Sequence, residues 1–250
     1  MPLITAAGAT QMAIDQWLLE QHLLGLQPPS LRFYTWSPPA ISLGYHQRRW
    51  PLVWEQMLWQ GITIDLIRRP TGGRAVLHQG DLTYAIAVSG ITGNRRQVYQ
   101  TLCEFLIQGW QALGLPLHYG QSGQGYHHQA NCFSTATAAD LVTSTGFKFI
   151  GSAQLYRGGA ILQHGSIQLA PDLALRSQVF GDSGHPEQSP PDLQGLEIST
   201  ILEALTTAAG DCFGVNWQVQ PLTDLEWAAI RQAPALKLGQ QSDLRSRGAP

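Results

Sequence analysis

Cys132 and Lys148 are a thiol and an amine whose chemistry would depend on how close they lie to each other. A thiolate is a strong nucleophile, but an ordinary cysteine is only a few per cent ionised near pH 7. A neighbouring ammonium group would lower the thiol pKa and so supply the thiolate. Cys132 lies near the end of a loop rich in Gly, Gln and His, "YGQSGQGYHHQANCF" (119–133), and Lys148 begins a strand-like segment sixteen residues later. The two could form an activated nucleophile, although sequence spacing alone does not bring the side chains together.

Each of these residues also has a simpler interpretation. A lysine in an apolar strand usually lies at a sheet edge with its ammonium group in water, and the alternative is a partly buried amine that acts as a fixed cation. The thiol could belong to a metal site with His127 and His128, but such a site lacks a convincing fourth ligand. The other cysteines, Cys103 and Cys212, fit best as small core residues.

The segment "RRPTGGRAVLH" (68–78) combines arginines, a glycine pair and a histidine. As a β-hairpin, it would use Gly72 and Gly73 for positive φ angles and leave its arginines in solvent. As a binding site, its backbone without Cβ atoms would let a substrate approach exposed N–H groups, while guanidinium groups bind a carbonyl, carboxylate or phosphate. It has neither the Walker spacing nor the G-x-G-x-x-G pattern of nucleotide-binding loops.

The segment "KFIGSAQLYRGGAILQHGSI" (148–167) is strand-like and rich in small residues. "GSA" (151–153) follows the lysine, and the later "GG" (158–159) and "QHGS" (163–166) also leave the backbone bare. Because glycine lets another molecule approach the main chain closely, we expect a ligand to pack against this segment.

The composition is that of a compact globular protein with few charges. Of 250 residues, 44% are hydrophobic and 13% are charged, and the net charge is -2. No general attraction to nucleic acid or anionic lipid is therefore expected. Three cysteines without C-x-x-C spacing are typical of a reducing compartment, and the sequence shows neither a secretory leader nor an apolar run that could span a bilayer. We expect a cytoplasmic protein with neither nucleic acid nor membrane as a partner.

Hydrophobic periodicity predicts an α+β fold, in which a mainly antiparallel or mixed β-sheet is flanked by α-helices. Helices are predicted at 11–25, 54–61, 94–114, 200–209 and 225–233, and strands at 31–36, 40–44, 62–68, 81–89, 139–143, 147–153 and 160–170. T-x-x-E boxes that begin at Thr200 and Thr223 predict the starts of the last two helices. We expect a single catalytic domain over 1–240, with 181–240 as its smaller helical portion and 241–250 as a flexible tail.

Four motifs, taken in order, resemble the lipoate/octanoate branch of the biotin and lipoate protein ligase superfamily. They are "RRPTGGRAVLH" (68–78), "NCF" (131–133), "KFIGSAQ" (148–154) and "GAILQHGSI" (159–167). The RRPTGG and GSAQ elements are specific, and the resemblance covers roughly residues 10–180. The sequence is most similar to the cysteine-dependent octanoyltransferases that act on lipoyl-domain proteins.

This resemblance implies an antiparallel sheet flanked by helices and an acyl chain held in a tunnel. It implies that Cys132 accepts an octanoyl group from acyl carrier protein as a thioester, beside Lys148, which lowers its pKa. The group would then pass to a lysine of a lipoyl-domain protein, such as the glycine-cleavage H protein or a 2-oxoacid dehydrogenase E2, without ATP or another cofactor. The residues expected to bind substrate are Arg69, Thr71, Gly72, Gly73, His78, Gly151, Ser152, Ala153, His164 and Gly165, with His78 either a proton carrier or a structural histidine.

Four other functions remain open at this level. One is that of a close relative that moves lipoyl or octanoyl groups between two lipoyl-domain proteins. An ATP-dependent lipoate ligase would use the RRPTGG loop and Lys148 around an acyl-adenylate with ATP and Mg²⁺; it would not need Cys132, and the chain is expected to end before the accessory domain of many ligases. A non-catalytic lipoyl-binding protein would have no use for the cysteine and the lysine. Biotin ligation would call for a more basic GRGR-type loop than "RRPTGGR" (68–74).

Overall fold

The computed structural model describes residues 1–120, 139–181, 190–233 and 238 of the chain. Within these ranges, the strands are β1 (Ile4–Ala6), β2 (Ser30–Trp36), β3 (Ala40–Leu43), β4 (Leu58–Trp59), β5 (Ile62–Thr63), β6 (Asp65–Arg68), β7 (Val76–His78), β8 (Asp81–Ser89), β9 (His118–Tyr119), β10 (Leu141–Val142), β11 (Lys148–Arg157) and β12 (Ala160–Gln168). The α-helices are α1 (Gly8–Leu23), α2 (Arg95–Ala112), α3 (Leu173–Phe180), α4 (Ile198–Phe213) and α5 (Asp224–Gln232). No helix in the described ranges combines the length and hydropathy that a bilayer crossing requires.

The strands form one large mixed sheet and two small ones. The large sheet has the order β1-β2-β8-β12-β11-β10-β9, in which β1 and β2 are parallel and the other neighbours antiparallel. A second sheet has the order β6-β3-β7, and β4 pairs with β5. The predicted α+β class, a mixed and mainly antiparallel sheet flanked by helices, is confirmed.

The centre of the large sheet is covered on both faces. Tyr84 and Ile86 of β8 pack with Phe105 of α2, whereas Ala85 between them packs with Met12 of α1. Because successive side chains of a strand point to opposite faces, the first seven residues of β8 are all buried. All nine residues of β12 are buried for the same reason.

One of the two predicted capping boxes is present at a helix start. Thr223 caps α5, since its hydroxyl accepts from the N–H of Glu226 and the Glu226 carboxylate accepts from the N–H of Thr223. The box predicted at Thr200 is wrong: α4 already begins at Ile198, so Thr200 lies within its first turn. A helix that the sequence did not indicate, α3, begins after Asp172, whose side chain accepts from the N–H of Leu175.

The segment 54–68 differs from its prediction. A 3₁₀ helix occupies Leu52–Gln56, and the rest of the predicted helix is the β4–β5 hairpin, whose turn contains Gln60 (φ 50°) and Gly61 (φ 77°). The eight residues of the predicted helix, 54–61, are too short a window to separate a helix from a hairpin. The predicted strand 62–68 is divided between β5 and β6.

The glycine pair 158–159 also has a role other than the predicted ligand contact. It joins β11 to β12, and both glycines have positive φ angles, 55° and 87°. Two such residues are what a type I′ hairpin turn requires.

Candidate active site

The predicted site residues converge on one cavity of about 130 Å³ between the large sheet and the β6-β3-β7 sheet. Those that line it are Arg69, Gly73, His78, Lys148, Gly151, Ser152, Ala153, His164 and Gly165. Met12, Tyr34, Trp36 and Val76 add apolar surface. Thr71 and Gly72 are not among its lining residues, and Cys132 lies outside the described residues.

The two arginines of the RRPTGG motif bind main-chain carbonyls, Arg69 mainly within its own loop and Arg68 in the loop after β3. Arg69 is buried and donates from Nη1 to the Ser42 carbonyl (2.7 Å) and from Nη2 to the carbonyls of Gly72 (2.8 Å) and Arg74 (2.7 Å). Arg68 donates from Nη1 to the carbonyl of Gly44 at 2.7 Å. These bonds direct the guanidinium groups at the main chain, so they fix the shape of the loop beside the cavity.

The tight turn in this loop depends on Gly73 and Gly44 rather than on the glycine pair. Gly73 has a φ of +94°, but Gly72 has no positive φ, so the expectation that both supply one is wrong for Gly72. A Cβ added at Gly44, at the end of β3, would collide with the carbonyl oxygen of Gly73. Only glycine permits this approach of two main chains.

His78 is held between a carboxylate and a hydroxyl. Its Nδ1 lies 2.8 Å from Asp81 Oδ2, and its Nε2 lies 2.8 Å from Ser42 Oγ. Burial lowers the pKa of His78, and the nearby Asp81 only partly opposes that effect. The imidazole is therefore neutral, with its proton on Nδ1, because an ionised carboxylate can only accept. Trp36 stacks on the ring, with the two centroids 3.9 Å apart.

His164 stands in a similar arrangement on β12. Its Nδ1 lies 2.8 Å from Asp15 Oδ2, and its Nε2 lies 2.6 Å from Thr71 Oγ1. Asp15, from α1, also accepts from the hydroxyl of Tyr34 (3.0 Å) and pairs with Arg32 at 3.2 Å. Thr71 is thereby joined to the cavity wall through His164.

Lys148 has a carboxylate partner. Its Nζ lies 2.9 Å from Asp140 Oδ2, and the two side chains are only 5% and 6% exposed. The buried amine is thus the correct interpretation, and the sheet-edge lysine is not. Sequence reasoning missed Asp140, as well as Asp15, Ser42 and Asp81; a single carboxylate or hydroxyl within a strand or helix carries no motif that reveals a distant partner.

Burial disfavours the thiolate form of both described cysteines. Cys103 is fully buried, and this burial raises the pKa of its thiol to about 12. It accepts from Nε2 of Gln163 (3.3 Å), which also donates to the hydroxyl of Tyr84 (2.8 Å), itself bonded to Ser152 Oγ (2.7 Å). Burial also raises the pKa of Cys212. Cys103 is a small core residue, as predicted, whereas Cys212 is only partly buried and packs against that core.

The described residues contain no group of three His, Cys, Asp or Glu that could hold a metal ion. His127 and His128, considered for such a site together with Cys132, lie outside the described ranges.

Comparison of sequences finds octanoyltransferases similar to this chain, and comparison of structures finds lipoate ligases with a similar fold. Octanoyltransferase LipM of Moorella thermoacetica is 34% identical over 248 residues, which cover 90% of each chain. Octanoyltransferase LipM of Kyrpidia tusciae is 32% identical over 96% of this chain and 95% of its own.

Two solved structures share the fold. Protein Ta0514 of T. acidophilum with bound lipoic acid superposes with a TM-score of 0.76 at 22% identity, covering 93% of this chain and 91% of its own. Lipoate-protein ligase A bound with ATP has a TM-score of 0.74 at 23% identity, covering 92% and 91%. The model of the lipoyl protein ligase A/B catalytic domain matches residues 7–209, and the chain belongs to that family.

Proposed function

We propose that the protein is an N-octanoyltransferase, which takes an octanoyl group from the thioester of acyl carrier protein and transfers it to a lysine of a lipoyl-domain protein. The observation that carries the proposal is identity above 30% with octanoyltransferases over at least nine-tenths of both chains. The acceptor is the glycine-cleavage H protein or a 2-oxoacid dehydrogenase E2. Conversion of a thioester to an amide runs downhill, so neither ATP nor another cofactor is needed.

The cavity suits an apolar acyl chain. An octanoyl tail has about seven methylene groups, and burial is worth ~0.8 kcal/mol for each, or roughly 5 kcal/mol in total. Met12, Trp36 and Val76 supply apolar contacts for the tail. That energy is sufficient to bind the chain with few polar contacts.

In this proposal, transfer takes place in two steps. The thiolate of Cys132 attacks the donor thioester, forms an octanoyl-cysteine and releases the carrier thiol. The acceptor lysine amine then attacks that intermediate, the carbon–sulfur bond breaks as the amide forms, and the proton lost by the amine returns the Cys132 thiol. Cys132 is assigned by the motif order, and Lys148, the buried cation at the cavity wall, is assigned as the residue that lowers the pKa of its thiol. Because Asp140 balances this cation, its effect on the thiol pKa is smaller than that of an isolated ammonium group.

The experiment that tests the proposal is intact-mass measurement after incubation with octanoyl-acyl carrier protein. The wild-type chain should gain one octanoyl group, and Cys132→Ala should gain none. Cys212→Ala is the matched control, since it removes a thiol that does not line the cavity, and it should gain the group as the wild type does.

Equal labelling of the wild type and Cys132→Ala would refute the covalent route. The ligase alternative is tested with the same two proteins, the wild type and Cys132→Ala. Lipoylation of a lipoyl domain from free lipoate and ATP, at a rate that Cys132→Ala leaves unchanged, would establish the ligase instead.

A further inference from the structure

We propose that Ser42, His78 and Asp81 form a second nucleophilic centre in the cavity, which hydrolyses esters and thioesters of medium-chain acyl groups. This activity goes beyond octanoyl transfer and does not involve Cys132. The three side chains stand in the order hydroxyl, imidazole, carboxylate, with 2.8 Å at each contact. A nucleophilic triad is recognised by this geometry and these roles, not by position in the sequence.

The three groups are oriented so that a proton can pass from the Ser42 hydroxyl to His78. Neutral His78 keeps its proton on Nδ1 for Asp81, so its Nε2 is free to accept the hydroxyl proton of Ser42. Asp81 Oδ2 is fixed by Ser166 Oγ (2.6 Å) and Thr83 Oγ1 (3.1 Å), which both donate to it. The carboxylate is thus held in place, and its contact with Nδ1 fixes the ring in one orientation.

A cation lies where negative charge would develop. Arg69 donates from Nη1 to Ser42 Oγ at 3.2 Å, in addition to its bond to the Ser42 carbonyl. A buried guanidinium group stabilises the hydroxyl oxygen as it loses its proton. The Ser42 hydroxyl thus has a base on one side and a positive charge on the other.

The second hydroxyl–imidazole–carboxylate arrangement is a weaker candidate. Ser42 and His78 both line the cavity, whereas Thr71 is not among the lining residues that the structure describes. The carboxylate of Asp15 is shared with Arg32, which spreads its charge away from His164. Of the two hydroxyls, the Ser42 hydroxyl is therefore the one that borders the cavity, where its residue is fully buried in the wall.

The reaction balances with water as co-reactant. Ser42 Oγ attacks the acyl carbonyl while His78 Nε2 takes its proton, and the bond from carbon to the leaving sulfur or oxygen breaks as His78 returns the proton to that group. Water then attacks the acyl-serine, His78 again takes and returns one proton, and the acid is released. No electron acceptor or donor is required.

Fluorophosphonate labelling of the full chain in its Cys132→Ala form tests the centre directly. Peptide mass spectrometry should find the phosphonyl group on Ser42. An adduct confined to another residue, or none, would overturn the proposal, and this readout needs no change at Ser42.

Turnover of p-nitrophenyl octanoate and octanoyl-CoA supplies the second readout. In the Cys132→Ala background, Ser42→Ala should lower the rate of octanoate release by ~100-fold or more. Thr143→Val is the control, because it removes a buried hydroxyl that is bonded to Thr145 and lies outside the cavity; it should keep the parent's rate. An unchanged rate in Ser42→Ala would refute the centre, whereas absence of the octanoyl-Cys132 adduct would refute only the proposed transferase.

Discussion

At the cavity wall, the buried ammonium group of Lys148 faces the buried carboxylate of Asp140. The sequence indicates Lys148, because it is one of two lysines and begins an apolar strand in a recognisable motif. It does not indicate Asp140, since nothing in "ADLVT" (139–143) distinguishes an ion-pair partner from a strand-end residue. The pair of His164 with Asp15 is hidden because it is set by the packing of β12 against α1, which are distant in the chain. His78 and Asp81 lie only three residues apart, but their spacing alone does not show that the two side chains face each other.

Asp140→Asn should lower the free energy of unfolding by about 3–5 kcal/mol, because it leaves the buried charge of Lys148 without its opposite charge. Urea denaturation of the purified variant measures this. Glu20→Gln is the matched control: it breaks an ion pair with Arg157 whose side chains are 60% and 51% exposed. The control should lower the free energy of unfolding by less than about 1 kcal/mol. Equal losses of stability in the two variants would show that burial does not strengthen the Lys148–Asp140 pair.

At the level of elements, strands with regular alternation were predictable and the cavity loop was not. β8 occupies 81–89 as predicted, since both its faces are buried by helices. The loop after β6 depends on contacts that span the fold, such as the approach of Gly44 to the Gly73 carbonyl. A glycine pair signals a turn, but it does not reveal which member takes the positive φ.

Gly73→Ala should destabilise the protein by about 1–3 kcal/mol, because its φ of +94° strains any residue with a Cβ. The added Cβ would also meet Arg69 Nη2 at 2.8 Å. Thermal unfolding of the two single variants provides the comparison. Gly72→Ala, which has open space and no positive φ, should change stability by less than about 1 kcal/mol. A larger loss at position 72 than at 73 would show that the turn is formed differently.

On the scale of the whole molecule, the fold class and the family were within reach of the sequence, and the place of the C-terminal helices was not. α4 packs closely on α2: a Cβ at Gly109 would come within 2.8 Å of Leu205 Cδ2. The single domain expected over 1–240 remains a prediction, because apolar helices of this length dock equally well within a domain or between two.

Leu205→Ala should lower the free energy of unfolding by about 2–5 kcal/mol, since Leu205 is fully buried between α4 and the core. If α4 belongs to a single domain, circular dichroism and tryptophan fluorescence should still report one coincident transition. Ile198→Ala, at a 36%-exposed position of the same helix, should shift stability by no more than about 0.5 kcal/mol. Separate transitions in Leu205→Ala would indicate that α4 unfolds on its own.

β12 forms one wall of the cavity and is hydrogen-bonded along both edges, to β8 and to β11. A strand in that position cannot move to admit a ligand unless its hydrogen bonds to both neighbouring strands break together. The opposite wall, the loop after β6, is held largely by the hydrogen bonds that the guanidinium group of Arg69 donates to main-chain carbonyls. Of these two walls, the glycine-bearing loop is therefore the more flexible one. We expect the loop to adjust to the shape of a bound ligand, while the sheet keeps the reacting groups in place.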